Sequence, residues 1–82
     1  MQKEYSNLII DIKKKSKLEV LKVRDLKYLQ EDIHNVTNKN ISYNTLRRFF
    51  GFLNTTNPSV ETLNTLAQYL GFTNYSNYLN NK

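Results

Sequence analysis

Apolar residues recur along this chain at the spacing of helices, three or four apart. Tyr5, Leu8, Ile9 and Ile12 share one face of a segment from about Lys3 to Lys15, with Asn7, Asp11 and Lys14 opposite. That pattern predicts a first helix. Leu18, Val20, Leu21 and Val23 fit no single period, so Lys17 to Val23 reads either as a buried connector or as a helix extension. A second helix is predicted over about residues 24–38, with Leu26, Leu29, Ile33 and Val36 as its stripe. Asp25 lies in its first turn, where a carboxylate favours the helix dipole. Thr37, Asn38, Lys39 and Asn40 form a polar turn, after which Ile41 packs inward.

A short third helix is predicted over about residues 43–50. Ser42 is a good N-cap, because its hydroxyl accepts a hydrogen bond from an orphan amide. Gly51 is a good stop, since glycine takes the left-handed conformation easily. Phe52 and Leu53 continue the core, and Asn54 to Pro58 has loop composition. Ser59 caps a fourth helix over about residues 60–70, with Val60, Leu63, Leu66, Ala67 and Leu70 as its stripe and Glu61 in its first turn. Gly71 followed by Phe72 predicts a Schellman ending. Thr73 or Asn74 caps a short fifth helix carrying Tyr75, Tyr78 and Leu79. With only 2 glycines and 1 proline, strands joined by tight turns are disfavoured. The expected fold is all-α, a single domain over 1–82 built as a compact bundle of about five short helices containing a helix-turn-helix.

The third helix carries the most chemistry. Leu46, Phe49 and Phe50 form its apolar stripe. Asn44, Arg47 and Arg48 recur on the other side, with Tyr43 at their edge. Two arginines and an asparagine on one rigid outer face suit base edges in a DNA major groove, where Arg pairs with guanine and Asn with adenine. The commoner meaning of a basic outer face is plain solvated surface, so the flanking segments decide.

The chain has 82 residues, 39% of them hydrophobic and 23% charged, which is the composition of one globular domain. A net charge of +5 favours a polyanionic partner, although solubility alone accounts for such a charge. There is no cysteine, which excludes disulfides and cysteine zinc sites. No apolar run approaches the ~20 residues that span a bilayer. Leu8-Ile9-Ile10 is too short for the core of a signal peptide and is interrupted by Asp11. A soluble, cytoplasmic protein with no membrane partner is expected.

The run Ile41-Ser42-x-x-Thr45-Leu46-x-Arg48-Phe49, a loop ending Pro58-Ser59, and then Val60-Glu61-Thr62-Leu63-x-x-Leu66-Ala67-x-x-Leu70-Gly71-Phe72 resembles the lambda-repressor-like domain of the Cro and phage-repressor family. The resemblance covers about Asp25 to Phe72, and Thr45 to Gly51 also resembles a bacterial branch of such domains. It implies sequence-specific binding of double-stranded DNA by a small bacterial transcriptional regulator. By position it puts Tyr43, Asn44, Arg47 and Arg48 on base-facing sites and Ser42 beside the backbone phosphates. Arg24 and Lys27 open the second helix where this family often meets a phosphate, and Lys39 in the turn is a further phosphate candidate. There are two departures. The family has glycine where this chain has Asn40, and often Glu or Asn where this chain has Phe50-Gly51.

The remaining candidates carry blander readings. Lys13, Lys14, Lys15 and Lys17 are a solvated helix end favoured by the dipole, or a flanking phosphate contact. His34 is the only histidine and falls on a polar face, without the second His or Cys that a metal site would need. No nucleophile motif or glycine-rich phosphate loop occurs, so an enzyme, a cofactor and a metal are not expected. Tyr28, Tyr69, Tyr75 and Tyr78 either stack on bases or are half-buried helix residues. Tyr75, Tyr78 and Leu79 form either the cover of the core or the surface of a weak homodimer across paired half-sites. The alternative function is a helical protein-interaction module, an adaptor or a domain cut from a longer chain, that keeps the fold without reading DNA. An RNA or single-strand binder is a third.

Overall fold

Helices form where the apolar stripes lie. They are α1 (Ser6–Ser16), α2 (Asp25–Thr37), α3 (Tyr43–Phe49), α4 (Val60–Tyr69) and α5 (Tyr75–Asn80). The computed structural model describes residues 5–18, 23–51 and 58–81, and among them there is no strand, so the fold is all-α. The helix start expected at Lys3, the apolar positions Val20 and Leu21, the core residues Phe52 and Leu53, and the loop from Asn54 to Asn57 lie outside the described residues. No helix among the described residues is long and apolar enough to cross a membrane.

The boundaries have local causes. Ser42, Ser59 and Asn74 each accept a hydrogen bond from the amide three residues on, satisfying a donor that the first turn leaves orphaned. At the end of α4, the Phe72 amide donates to the Ala67 carbonyl and the Gly71 amide to the Gln68 carbonyl, both at 3.0 Å. Gly71 has φ 99, and the pair of bonds is the expected Schellman ending. α1 stops at Lys17, which takes a left-handed conformation with φ 60. In the α2–α3 turn the left-handed residue is Asn38, with φ 59. Asparagine tolerates that region better than most side chains. The special backbone position of the turn is therefore Asn38, two residues before the Asn40 that the resemblance aligns with glycine.

α4 is the centre of the bundle, packing against α1, α2 and α5, while α3 packs on α2. Leu66, Ala67 and Tyr69 of α4 are wholly buried. They meet Leu8, Ile9 and Ile12 of α1 and Leu26, Leu29 and Ile33 of α2 in one core. Two stripe positions fall outside it. Val36 is 49% exposed, because Ile33 is the last residue of α2 to turn inward. Val60 is 72% exposed, because it directly follows the cap and α4 first enters the core at Leu63.

The tyrosines depart furthest from the sequence reading. Tyr69 and Tyr78 are core residues, not half-buried ones. Tyr69 donates its phenol proton to Asp32, tying α4 to α2. Tyr78 donates to Asp11 at 2.7 Å, tying α5 to α1. A buried phenol needs such a partner, and each acceptor lies on an otherwise polar helix face. Tyr78 is therefore unavailable to a dimer surface made of Tyr75, Tyr78 and Leu79. Of that set only Leu79 is exposed, and Tyr75 packs against the core.

Burial, and then the carboxylate partner, hold both phenols well above their ordinary value of about 10. Below that value both folded and unfolded chains keep the protons, and the full stability is present. Above it the unfolded chain releases them while the folded chain does not, so stability falls as pH rises. Melting temperatures measured from pH 8 upward should hold steady to about pH 10 and then drop. Tyr69→Phe and Tyr78→Phe should each flatten that drop. An alkaline slope identical in wild type and both variants would exclude these phenols as its source.

Candidate nucleic-acid interface

α3 is held from behind by its own apolar face. Leu46 is fully buried and Phe49 is 5% exposed. Tyr5, at the entry to α1, lies with its ring centroid 6.0 Å from that of Phe49. Phe50 closes the helix end, edge-on to Phe49 at 5.2 Å, and the Gly51 amide donates to the Arg48 carbonyl at 3.2 Å.

Two polar contacts fix how the chain enters α3. Gln30 of α2 donates from Nε2 to the Ile41 carbonyl at 2.7 Å. The Tyr43 phenol donates to the Val23 carbonyl, just ahead of α2, at 3.2 Å. The turn between the helices is tightened by Thr37, whose hydroxyl donates to the Ile33 carbonyl at 2.7 Å and accepts from the Lys39 amide at 3.1 Å. Ser42 caps α3 through the Thr45 amide at 3.1 Å, and the two hydroxyls share a hydrogen bond of 2.7 Å.

The polar side chains of α3 face outward. Asn44 and Arg48 are exposed, and Arg47 is half-buried. Arg47 donates from Nη1 to Asn44 Oδ1 at 3.2 Å. Its guanidinium carbon lies 5.5 Å from the Tyr43 ring centroid, and Lys27 Nζ lies 5.7 Å from the same centroid. Both distances fall in the range of cation–π attraction. Tyr43 thus gathers a cation from α2 and one from α3 onto a ring that is itself tied to Val23. It is a support for the outer face more than a free reading group. Arg47 Nε is buried and has no hydrogen-bond partner.

Arg24 and Lys27 stand at the N-terminal end of α2, and both are exposed. Lys39 is exposed in the turn at the opposite end of α2, roughly 20 Å away for a helix of this length. Lys27, Tyr43, Asn44 and Arg47 are therefore brought together, whereas Arg24 and Lys39 flank the group on either side. From Ile33 to Val60 the chain contains no Asp or Glu. Lys13, Lys14 and Lys17 surround an open hollow at the C-terminal end of α1, the end away from Tyr5 and α3. Lys15 leans over the Tyr69 ring at 5.5 Å.

A polar cleft of about 190 Å³ lies between the N-terminal ends of α3 and α4, lined by Asn40, Ser42, Thr45, Ser59, Thr62 and neighbours. Its hydroxyls are paired across each cap, Ser42 with Thr45 and Ser59 with Thr62. His34 is exposed, and no group of His, Asp and Glu among the described residues is placed to hold a metal ion. Gln30, Asp11 and Asp32 are the residues that sequence reasoning missed. Only an unusually polar choice beside an apolar stripe marks them. No protein-family model matches the chain, and comparison with curated proteins and with solved structures finds no match.

The cap and the outer face should separate cleanly in stability. Ser42→Ala should cost about 1 kcal/mol, because α3 loses its N-cap. Arg48→Ala should stay within about 0.5 kcal/mol, as for exposed positions generally. Urea unfolding of the two variants checks this. An Arg48→Ala loss as large as that of Ser42→Ala would mean the outer face is part of the packing.

Proposed function

We propose that this chain binds double-stranded DNA sequence-specifically through the outer face of α3, as a small transcriptional regulator of the lambda-repressor-like type. The observation that carries this reading is the seating of Asn44, Arg47 and Arg48 on a two-turn helix whose back is buried and whose entry is hydrogen-bonded. A rigid outward row of such side chains has the chemistry to read base edges.

The surrounding charge supports the same reading. Arg24 and Lys27 lie at the positive end of the α2 dipole, where cations are disfavoured. A phosphate there would turn that penalty into an attraction. Lys27 and Arg47 share one ring, and a backbone phosphate beside Lys27 would relieve their mutual repulsion. An adaptor would be expected to expose apolar groups on this helix. Among the described residues the exposed large hydrophobics are Ile10, Tyr28, Val36, Val60 and Leu79, none of them on α3.

Affinity for duplex DNA should fall steeply with salt, through release of counterions from the phosphates contacted. Arg24→Ala or Lys27→Ala should weaken binding to all sequences alike and reduce the salt slope by about 1. Arg48→Ala should cost about 1–3 kcal/mol on a preferred sequence. Fluorescence anisotropy over a salt series measures all three. Absence of binding to mixed duplex even at low salt would refute the proposal.

A further inference from the structure

We infer that the outer face of α3 selects guanine, and that Asn44 acts as a positioning residue for Arg47 and does not read adenine. The inference rests on the DNA-binding reading above and adds the base that the site takes.

Arg47 donates from Nη1 to Asn44 Oδ1, at 3.2 Å. A guanidinium has only donors, so the amide oxygen must be the atom that faces it. The amide NH2 is thereby turned away, toward the outside. To read adenine, an asparagine must accept from the N6 amino group through its oxygen while donating to N7. In Asn44 that oxygen is held by Arg47. A second lone pair remains, but a base using it would set its amino hydrogens beside the guanidinium charge. Asn44 and Arg47 together therefore present donors.

Arg47 is also held in place. Its guanidinium lies against the Tyr43 ring, and Tyr43 is anchored on the Val23 carbonyl. Its Nε is buried, so the end of the fork carrying the Nη atoms is the edge left for a ligand. Arg48, the exposed neighbour, has only donors as well. The Tyr43 hydroxyl is turned back to the Val23 carbonyl, just ahead of α2. No carboxylate occurs between Ile33 and Val60 to supply an acceptor. In the major groove guanine offers two acceptors, N7 and O6, whereas adenine and cytosine each place an amino donor there. A face that turns its donors outward and is fixed before binding matches guanine and opposes the other two.

The test is selection of bound sequences from a random duplex pool, with wild type, Asn44→Ala and Arg47→Ala. Wild type should recover guanine at the position facing Arg47. Asn44→Ala should keep guanine there with weaker discrimination, because Arg47 loses its tether and not its fork. Arg47→Ala should release the Asn44 oxygen and admit adenine. On the recovered site, 7-deazaguanine removes the N7 acceptor and should weaken binding about tenfold. Inosine keeps both N7 and O6 and should bind as guanine does. A wild-type preference for adenine that disappears in Asn44→Ala would overturn this inference while leaving DNA binding intact. Failure to bind any duplex would overturn both.

Discussion

A helix of seven residues does not stand alone in water, because nucleation is unfavourable and two turns return too few hydrogen bonds. The existence of α3 therefore depends on burial of its back. Leu46 and Phe49 supply that burial, and the Ser42 cap and the Gly51 stop fix its length. Everything proposed for the outer face follows from this constraint. Asn44, Arg47 and Arg48 have defined directions only because the helix beneath them is clamped.

The clamp is polar as well as apolar. Gln30 holds the Ile41 carbonyl, and Tyr43 reaches back to Val23, so the entry to α3 is tied to the middle of α2 and to the residue just ahead of it. The same ring then gathers Lys27 and Arg47. One side chain thus links backbone position to the placement of charge. On the far side of α2, Tyr69 and Asp32 fasten the helix to α4. α2 is held on one side by the core and on the other presents a surface on which cations gather.

Much of the architecture was legible because its causes are local. Ser42, Ser59, Gly51 and Gly71 mark helix ends through capping chemistry that depends on the few residues around them. The stripes of α1, α2 and α4 were visible as a period in the sequence. What was hidden depends on contacts between distant segments. Nothing local to Tyr78 shows that it would find Asp11, 67 positions away. Helical spacing likewise places Val36 on a stripe without showing that α2 stops meeting the core at Ile33. Within the candidate site, spacing identified the outward residues. It did not reveal that Arg47 occupies the Asn44 oxygen, which depends on where two long side chains settle.

The most direct test of the central claim is to map backbone amide shifts by NMR as a short duplex is titrated into the folded protein. The account predicts the largest changes from Ser42 to Arg48, with further changes at Arg24 and Lys27. Amides of α5 from Tyr75 to Asn80 should stay unchanged. Largest changes in α5 or at the C-terminal end of α1, with α3 silent, would contradict it.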